Sequence, residues 1–215
     1  MSPGLTVNEV YASVQGESSF AGLPCVFIRL TGCALRCVWC DSEFTFTQGT
    51  RRTIDDVLAE VRGHHLPLVE VTGGEPLLQK NVHVLIGALL DEGKTVLLET
   101  GGDQDISAVD PRAVVIMDAK CPGSGMMDRM DWANLDRLRP HHEVKFVIAD
   151  RADYEWSREL IAKHRLDRRA RLLMGCVFGR VDPGNVVAWI MDDRLPVRFQ
   201  LQLHKVIWEP DERRR

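Results

Sequence analysis

The stretch VFIRLTGCALRCVWCDS, residues 26–42, joins an apolar run to three closely spaced cysteines. Val26–Leu30 is rich in β-branched and aliphatic residues and predicts a buried strand. Cys33, Cys37 and Cys40 follow at once, with three residues between the first two and two between the last two. In a reducing compartment, thiols spaced this closely indicate metal or redox chemistry rather than a disulfide framework.

The three local thiols leave two kinds of metal site open. A tetrahedral zinc site needs four ligands, and Asp41, His64 or His65 could supply the fourth in a non-enzymatic zinc module. An iron–sulfur cluster held by three thiolates instead leaves one iron open to a cofactor or substrate. The other cysteines are scattered along the chain, at Cys25, Cys121 and Cys176.

Outward from this loop, apolar runs alternate with helix-like patterns, which predicts an α/β fold with a largely parallel sheet. About six core strands are too few for a closed eight-unit barrel, so we expect an incomplete barrel of the TIM type in one domain, residues 1–215, with an N-terminal edge strand near Val7–Val14. The other expected strands are Leu68–Val71, Thr95–Leu98, Ala113–Met117, Val144–Ile148, Arg171–Met174 and Val197–Leu203. The expected helices are Ile54–Val61 capped by Thr53, Leu77–Leu90 opened by Pro76, Tyr154–His164 and Val186–Met191.

Composition excludes several classes of function. The chain is 45% hydrophobic and 27% charged, with a formal net charge of −4, and its basic residues form only two short groups, near Arg168–Arg171 and at Arg213–Arg215. We therefore expect no nucleic-acid partner. Neither a signal peptide nor an apolar run long enough to span a bilayer is recognisable, so we expect a cytoplasmic protein with no membrane partner.

The segment RFQLQLHK, residues 198–205, alternates polar and apolar side chains. As a strand it would place Gln200, Gln202 and His204 on one face. That face would be either half-solvated or turned towards a polar cavity.

A second motif, VEVTGGEP at Val69–Pro76, bears on the interpretation of the cysteine loop. Alone it predicts a strand, a Gly-Gly turn and a helix start, with Glu75 in the first turn. Together the two motifs resemble the radical S-adenosylmethionine (SAM) superfamily. The resemblance implies that Cys33, Cys37 and Cys40 hold a [4Fe-4S] cluster and that its open iron binds the amino and carboxylate groups of SAM. An electron from the cluster then cleaves SAM to a 5′-deoxyadenosyl radical.

Three further stretches narrow the resemblance: EVYASVQGESSFAGLPCVFIRLTGC at 9–33, DAKCPGSG at 118–125 and RFQLQLHKVIWEP at 198–210. They resemble the 7-carboxy-7-deazaguanine synthase family, lyases of queuosine-type deazapurine biosynthesis. The resemblance implies conversion of 6-carboxy-5,6,7,8-tetrahydropterin to 7-carboxy-7-deazaguanine with loss of ammonia. It also implies a homodimer and a one-electron donor of flavodoxin or ferredoxin type. Another small radical SAM enzyme, such as a glycyl-radical activase, is the nearest alternative.

The same resemblance implies a set of site residues. Arg29 offers a guanidinium to the pterin carboxylate, and Glu17 and Gln15 offer acceptors to its pyrimidine edge. The full substrate set is Val14, Gln15, Gly16, Glu17, Arg29, Thr72, Gln202, His204 and Pro210. The SAM set is Trp39, Cys40, Asp41, Gly74, Glu75, Asp118, Ala119, Lys120, Met174, Gly175, Cys176 and Val177.

The chain departs from the family pattern in three places. Ser42 stands where Thr commonly supplies a Mg²⁺ ligand, and it keeps the hydroxyl but lacks the methyl that restrains the rotamer. Residues 174–177 are less polar than in the family. The chain also continues past Pro210 with Asp211–Arg215, so a terminal carboxylate cannot act from Pro210.

Overall fold

The computed structural model describes residues 3–210 and 212–214, which form nine strands in a single sheet and six α-helices. The strands are β1 (Gly4–Val14), β2 (Pro24–Leu30), β3 (Thr50–Thr53), β4 (Leu68–Gly73), β5 (Thr95–Thr100), β6 (Val114–Asp118), β7 (Glu143–Ile148), β8 (Arg171–Cys176) and β9 (Arg198–Phe199). The helices are α1 (Ile54–Gly63), α2 (Val82–Asp91), α3 (Asn134–Arg137), α4 (Arg151–His164), α5 (Pro183–Asp193) and α6 (His204–Ile207).

The sheet is an open, mostly parallel barrel wall. Its strand order is β3-β1-β2-β4-β5-β6-β7-β8-β9, and every pairing from β2–β4 to β8–β9 is parallel. β1 is antiparallel to β2. The predicted α/β class and incomplete barrel are therefore confirmed. The expected edge position of the first strand is wrong, because β3 pairs antiparallel with β1 and occupies that edge.

Alternation along the strands divides the apolar residues between two faces. Val26, Ile28 and Leu30 of β2 pack in the main core with side chains of α1 and α2. Cys25 and Phe27 point the other way, into a smaller apolar cluster with Leu68, Leu97, Ile116 and Leu173 from neighbouring strands. This second cluster fills the base of the concave face, so side chains nearer the carboxyl ends of the strands lie above it.

The predicted helix over Leu77–Leu90 is wrong at its start. Residues Pro76–Leu78 form a short 3₁₀ turn, and α2 begins only at Val82. Gln79 causes the break: its backbone is extended, and its side-chain amide donates to the carbonyl oxygens of Thr6 and Thr31 while accepting from Thr6 N. Three tertiary hydrogen bonds thus replace one turn of helix.

The predicted strand Val197–Leu203 is also wrong over most of its length. β9 ends at Phe199, and His204 lies in the short helix α6 rather than in a strand. One further backbone bond, from Gln200 N to Met174 O, extends the pairing with β8 before the chain turns towards the loop after β1, where Leu203 N donates to Gly16 O.

The remaining helix predictions are confirmed within a few residues of their ends. Thr53 caps α1 as expected, because its hydroxyl accepts from Asp56 N at 3.1 Å. Across the described ranges, the helices are too short or too polar to traverse a bilayer.

Candidate active site

A cavity of about 780 Å³ opens at the carboxyl ends of the parallel strands. Its wall is made by strand ends, the cysteine loop, the loop after β1 and the C-terminal segment from Gln202 to Arg214. The volume lies within the ~300–1,000 Å³ typical of small-molecule sites. Enzymes of barrel architecture place their chemistry at this end of the strands.

The cysteine loop forms one side of the cavity. Cys33, Cys37 and Cys40 are half-buried free thiols, and all three line the cavity. The loop is fastened by backbone bonds from Gly32 N to Thr45 O (2.8 Å) and from Val38 N to Ser124 O (3.1 Å). The three sulfur atoms therefore line one cavity, and backbone hydrogen bonds hold the loop that carries them in place.

The Gly-Gly turn after β4 packs directly on this loop. A Cβ added at Gly74 would lie 2.3 Å from Gly32 O and 2.9 Å from the Cβ of Cys33. No side chain fits between these two backbones. The two sequence motifs therefore form one structural unit, and glycine at position 74 sets where the first cysteine sits.

The donor set fits an iron–sulfur cluster better than a single zinc ion. Within residues 3–210 and 212–214, no group of three or more His, Cys, Asp or Glu side chains is arranged to hold a single metal ion. His64 and His65 precede β4 and so lie at the amino ends of the strands, opposite the cysteine loop, and Asp41 is paired with Lys205. Three thiols that share a cavity, with no described side chains arranged around them for a single ion, match a cluster with one open iron.

Burial also affects the three thiols. It raises the pKa of Cys33, Cys37 and Cys40, and nearby Asp and Glu carboxylates add to the effect on Cys33. Metal ligation requires the thiolate. The iron ions of a bound cluster would supply the positive charge that stabilises the three thiolates at this position.

Arg29 also lines the cavity. It projects from β2, donates from Nε to Glu9 (3.0 Å) and from Nη2 to the Tyr11 hydroxyl (2.9 Å), and lies over the ring of Phe44. Burial alone would lower the pKa of Arg29. The Tyr11 hydroxyl and the Glu9 carboxylate act in the opposite direction and keep this pKa high. The guanidinium is thus a fixed cation at the cavity wall.

Glu9 joins Arg29 to the end of the chain. Its Oε2 accepts from Nη2 of Arg213 and Nε of Arg214, both at 3.2 Å, while its Oε1 accepts from Arg29. Arg213 also lies 3.9 Å over the Phe44 ring. Glu212, Arg213 and Arg214 therefore cover one rim of the cavity. Asp211 and Arg215 lie outside the described residues.

The loop after β1 brings the acceptors expected for a heterocycle. Gln15 Oε1 accepts from Glu17 N, and the Gln15 amide donates to the buried Glu70. Glu17 accepts from Gln202 at 2.9 Å and from Gln200 at 3.1 Å. The polar groups of the loop and of the C-terminal segment therefore converge on one carboxylate.

His204 packs against the same loop. A Cβ at Gly16 would lie 2.6 Å from His204 Nδ1, so glycine is needed for this approach. Burial lowers the pKa of His204, although Glu17 acts in the opposite direction. The imidazole is consequently neutral near pH 7 and can both donate and accept.

Charged side chains that sequence reasoning missed fill the interior of the cavity. Glu70, Glu99 and Lys145 each interrupt an apolar strand and line the cavity. A charged residue within an otherwise apolar strand is the sequence signal that could have identified these three residues, as it identified Arg29. Thr72 donates to Glu99 at 2.9 Å, and Lys145 contacts Glu99.

The expected SAM side contains two ion pairs. Lys120 donates to Asp118 at 2.5 Å, and Lys205 donates to Asp41 at 3.0 Å. Burial alone would raise the pKa of Asp41, but Lys205 and the Ser42 hydroxyl lower it to about 2. Ser42 lies beside the cysteine loop and donates to Asp41 Oδ1 at 3.1 Å.

Four expected SAM contacts do not reach the cavity surface in this structure: Glu75, Ala119, Met174 and Gly175. Glu75 is fully buried and accepts from Leu77 N, Thr100 Oγ1 and Gly101 N, and burial raises its pKa to about 7. It caps the 3₁₀ turn. The other expected residues line the cavity: Val14, Gln15, Gly16, Glu17, Arg29, Cys33, Cys37, Trp39, Cys40, Asp41, Ser42, Thr72, Gly74, Asp118, Lys120, Cys176, Val177, Gln202, His204 and Pro210.

Comparisons with known proteins agree with this geometry. The model of the radical SAM superfamily matches residues 27–118. The 7-carboxy-7-deazaguanine synthase of Chlorobaculum tepidum is 47% identical over 97% of this chain and 96% of its own, and that of Koribacter versatilis is 44% identical over 96% and 98%. The crystal structure of QueE from Escherichia coli superposes with a TM-score of 0.74 at 22% identity, covering 92% of this chain and 94% of that one.

Proposed function

The chain belongs to the 7-carboxy-7-deazaguanine synthase family of radical SAM enzymes, and we propose that it converts 6-carboxy-5,6,7,8-tetrahydropterin to 7-carboxy-7-deazaguanine and ammonia. The reaction belongs to 7-deazapurine biosynthesis of the queuosine type. The observation that carries the proposal is the shared cavity. Cys33, Cys37 and Cys40 line it together with Arg29, Glu17 and His204.

The cofactor half of the cavity is built by the cysteine loop and the ends of β4 and β6. Cys33, Cys37 and Cys40 would hold the [4Fe-4S] cluster, and Gly74, Asp118 and Lys120 border the space for SAM. When bound, cluster and SAM supply a radical that removes one hydrogen atom from the substrate. Lys120 brings positive charge near Cys37 and is held in place by Asp118.

The substrate half orients the pterin. Arg29 meets the 6-carboxylate with a guanidinium that Glu9 and Tyr11 already hold in one orientation. Glu17 and Gln15 accept hydrogen bonds from the amino and N–H groups of the pyrimidine edge. With both ends held, C6 alone is presented to the cofactor, and this orientation is the main contribution of the chain to catalysis.

Ser42 supports a Mg²⁺ site between the two halves. Its hydroxyl lines the cavity beside Asp41. Mg²⁺ keeps several waters and takes few protein ligands, so one hydroxyl with substrate oxygens is a sufficient set.

Four further features complete the proposal. Residues 1–215 act as a single radical SAM domain. The enzyme is a homodimer, as the family resemblance implies, and it takes its electron from a flavodoxin or ferredoxin. Its compartment is the reducing cytoplasm, which agrees with six free cysteines.

The test is an anaerobic assay of the reconstituted protein with SAM, a reductant and the carboxytetrahydropterin. We expect 7-carboxy-7-deazaguanine and ammonia in equal amounts. Iron and acid-labile sulfide measured in the same sample should be close to four of each per chain. A fully loaded protein that forms neither product would refute the proposed function.

A further inference from the structure

Lys145 is a buried cation that the proposed roles of the cavity do not use. It projects from β7, and its side chain is only 7% exposed. Its Nζ contacts carboxylates from three different elements: Glu17 after β1 at 3.2 Å, Asp118 at the end of β6 at 3.4 Å, and Glu99 of β5. A buried lysine persists only where opposite charges compensate its desolvation.

Two of the three carboxylates show the effect of this ammonium in their pKa. Burial alone would raise the pKa of Glu99 and of Asp118, but Lys145 lowers both, together with Lys120 at Asp118. Without Lys145, like charges would share one poorly solvated space with no cation of the described residues in contact with Glu17 and Glu99. The other charged or titratable groups that face this space are Glu70 of β4, Arg29 of β2, Lys120 after β6, Asp41 of the cysteine loop and His204 of α6.

Of the three carboxylates, Glu17 is the one to which the proposed function assigns contact with the pterin. Its Oε1 accepts from Gln202, and its Oε2 accepts from Gln200 and contacts Lys145. The two amides fix the direction of the carboxylate. Lys145 is the cation in contact with it.

We propose that Lys145 is a positioning residue for substrate recognition: its buried ammonium holds the Glu17 carboxylate in the orientation that accepts the donors of the pterin's pyrimidine edge. The inference rests on the proposed function. Recognition of the heterocycle would then depend on a residue of β7, a strand distant in the sheet order from β1, which precedes the loop carrying Glu17.

The experiment measures the dissociation constant of 6-carboxy-5,6,7,8-tetrahydropterin at pH 7 on reconstituted enzyme with SAM and without reductant. The quantity compared is the ratio of variant to wild type. Lys145→Met should bind the pterin on the order of tenfold or more weakly, because the Glu17 carboxylate loses the cation that fixes its orientation.

Matched variants separate charge from packing. Lys145→Gln keeps a hydrogen-bond donor but removes the charge, and it should weaken pterin binding as Lys145→Met does. It replaces Lys145→Met in the assay if that variant does not fold. Lys145→Arg keeps the charge and should stay within about threefold of wild type. Lys163→Met, at an exposed position of α4, should change nothing.

A double-mutant cycle shows whether Lys145 acts through Glu17. In a Glu17→Gln background, Lys145→Met should change the dissociation constant less than twofold. An unchanged effect in that background, or a Lys145→Met variant that binds the pterin as tightly as wild type, would overturn the inference. Wild-type enzyme that neither binds nor converts the pterin would instead refute the proposed function.

Discussion

Replacing Arg29 with alanine tests how the cavity recognises its substrate. The guanidinium is nearly buried, with 17% of its side chain exposed, and Glu9 and Tyr11 hold it in place. A hydrogen bond to a charged group is worth ~1.5–3 kcal/mol. Loss of the bond to the substrate carboxylate should therefore raise the dissociation constant about 10- to 150-fold.

The assay compares two ligands on loaded enzyme: the carboxytetrahydropterin and a tetrahydropterin that lacks the 6-carboxyl group. Arg29→Ala should weaken only the first. Arg29→Lys should restore part of the affinity, because it keeps the charge without the planar fork. Arg62→Ala is the matched control, since Arg62 pairs with Glu92 outside the cavity. An equal loss for both ligands, or no loss for either, would refute the assigned contact.

Four further outcomes are expected. Cys37→Ala should lose most of its iron and its reduced-cluster paramagnetic signal; full retention of both would contradict the cluster assignment. Gly74→Ala should also lower iron content, because the added Cβ would lie 2.3 Å from a carbonyl oxygen of the cysteine loop, whereas Gly87→Ala, with open space around it, should not. Ser42→Ala should need more Mg²⁺ for half-maximal turnover and Ser42→Thr should not. Identical Mg²⁺ titrations of wild type and Ser42→Ala would contradict the proposed Mg²⁺ site. Burial lowers the pKa of His142 to about 4. The stability that its neutral form provides is therefore complete above pH 6.5 and is lost as the pH falls towards 4. His142→Gln should show a smaller drop in melting temperature than wild type over that pH range.

The parallel strands β2 and β4 to β8 were predictable because each buried run is short, apolar and bounded by turns. β3 was not predicted, because its sequence, TRRT, is polar and largely solvent-facing. The helix expected from Pro76 was wrong, because the signal that ends it is tertiary. Gln79 has ordinary helix propensity, and only the folded chain shows its side chain bonded to Thr6 and Thr31. Propensity does not include such distant partners.

The C-terminal segment illustrates a second limit. The alternation in RFQLQLHK is genuine, but Gln200 and Gln202 direct their amides to Glu17 from a chain that has already left the sheet. A polar face was recognisable from the sequence. Its backbone conformation was not, because β9 lies at the edge of the sheet and, within the part of the chain that the structure describes, no strand pairs with it on its outer side.

The candidate site was predictable where residue types are unusual for their surroundings. Three clustered thiols and a lone Arg29 in an apolar strand are such cases, and Glu99 and Lys145 follow the same pattern. The position of Glu75 was not predictable, since its motif fits both a ligand contact and the cap of a turn. In the structure it caps the turn.

The central claim is that one cavity presents C6 of a bound carboxytetrahydropterin to the cofactor. The most direct test is to follow a single deuterium placed at C6 through turnover by the reconstituted enzyme. This deuterium should leave C6 and appear in the SAM recovered from the reaction. Formation of 7-carboxy-7-deazaguanine with no deuterium in the recovered SAM would contradict the central claim.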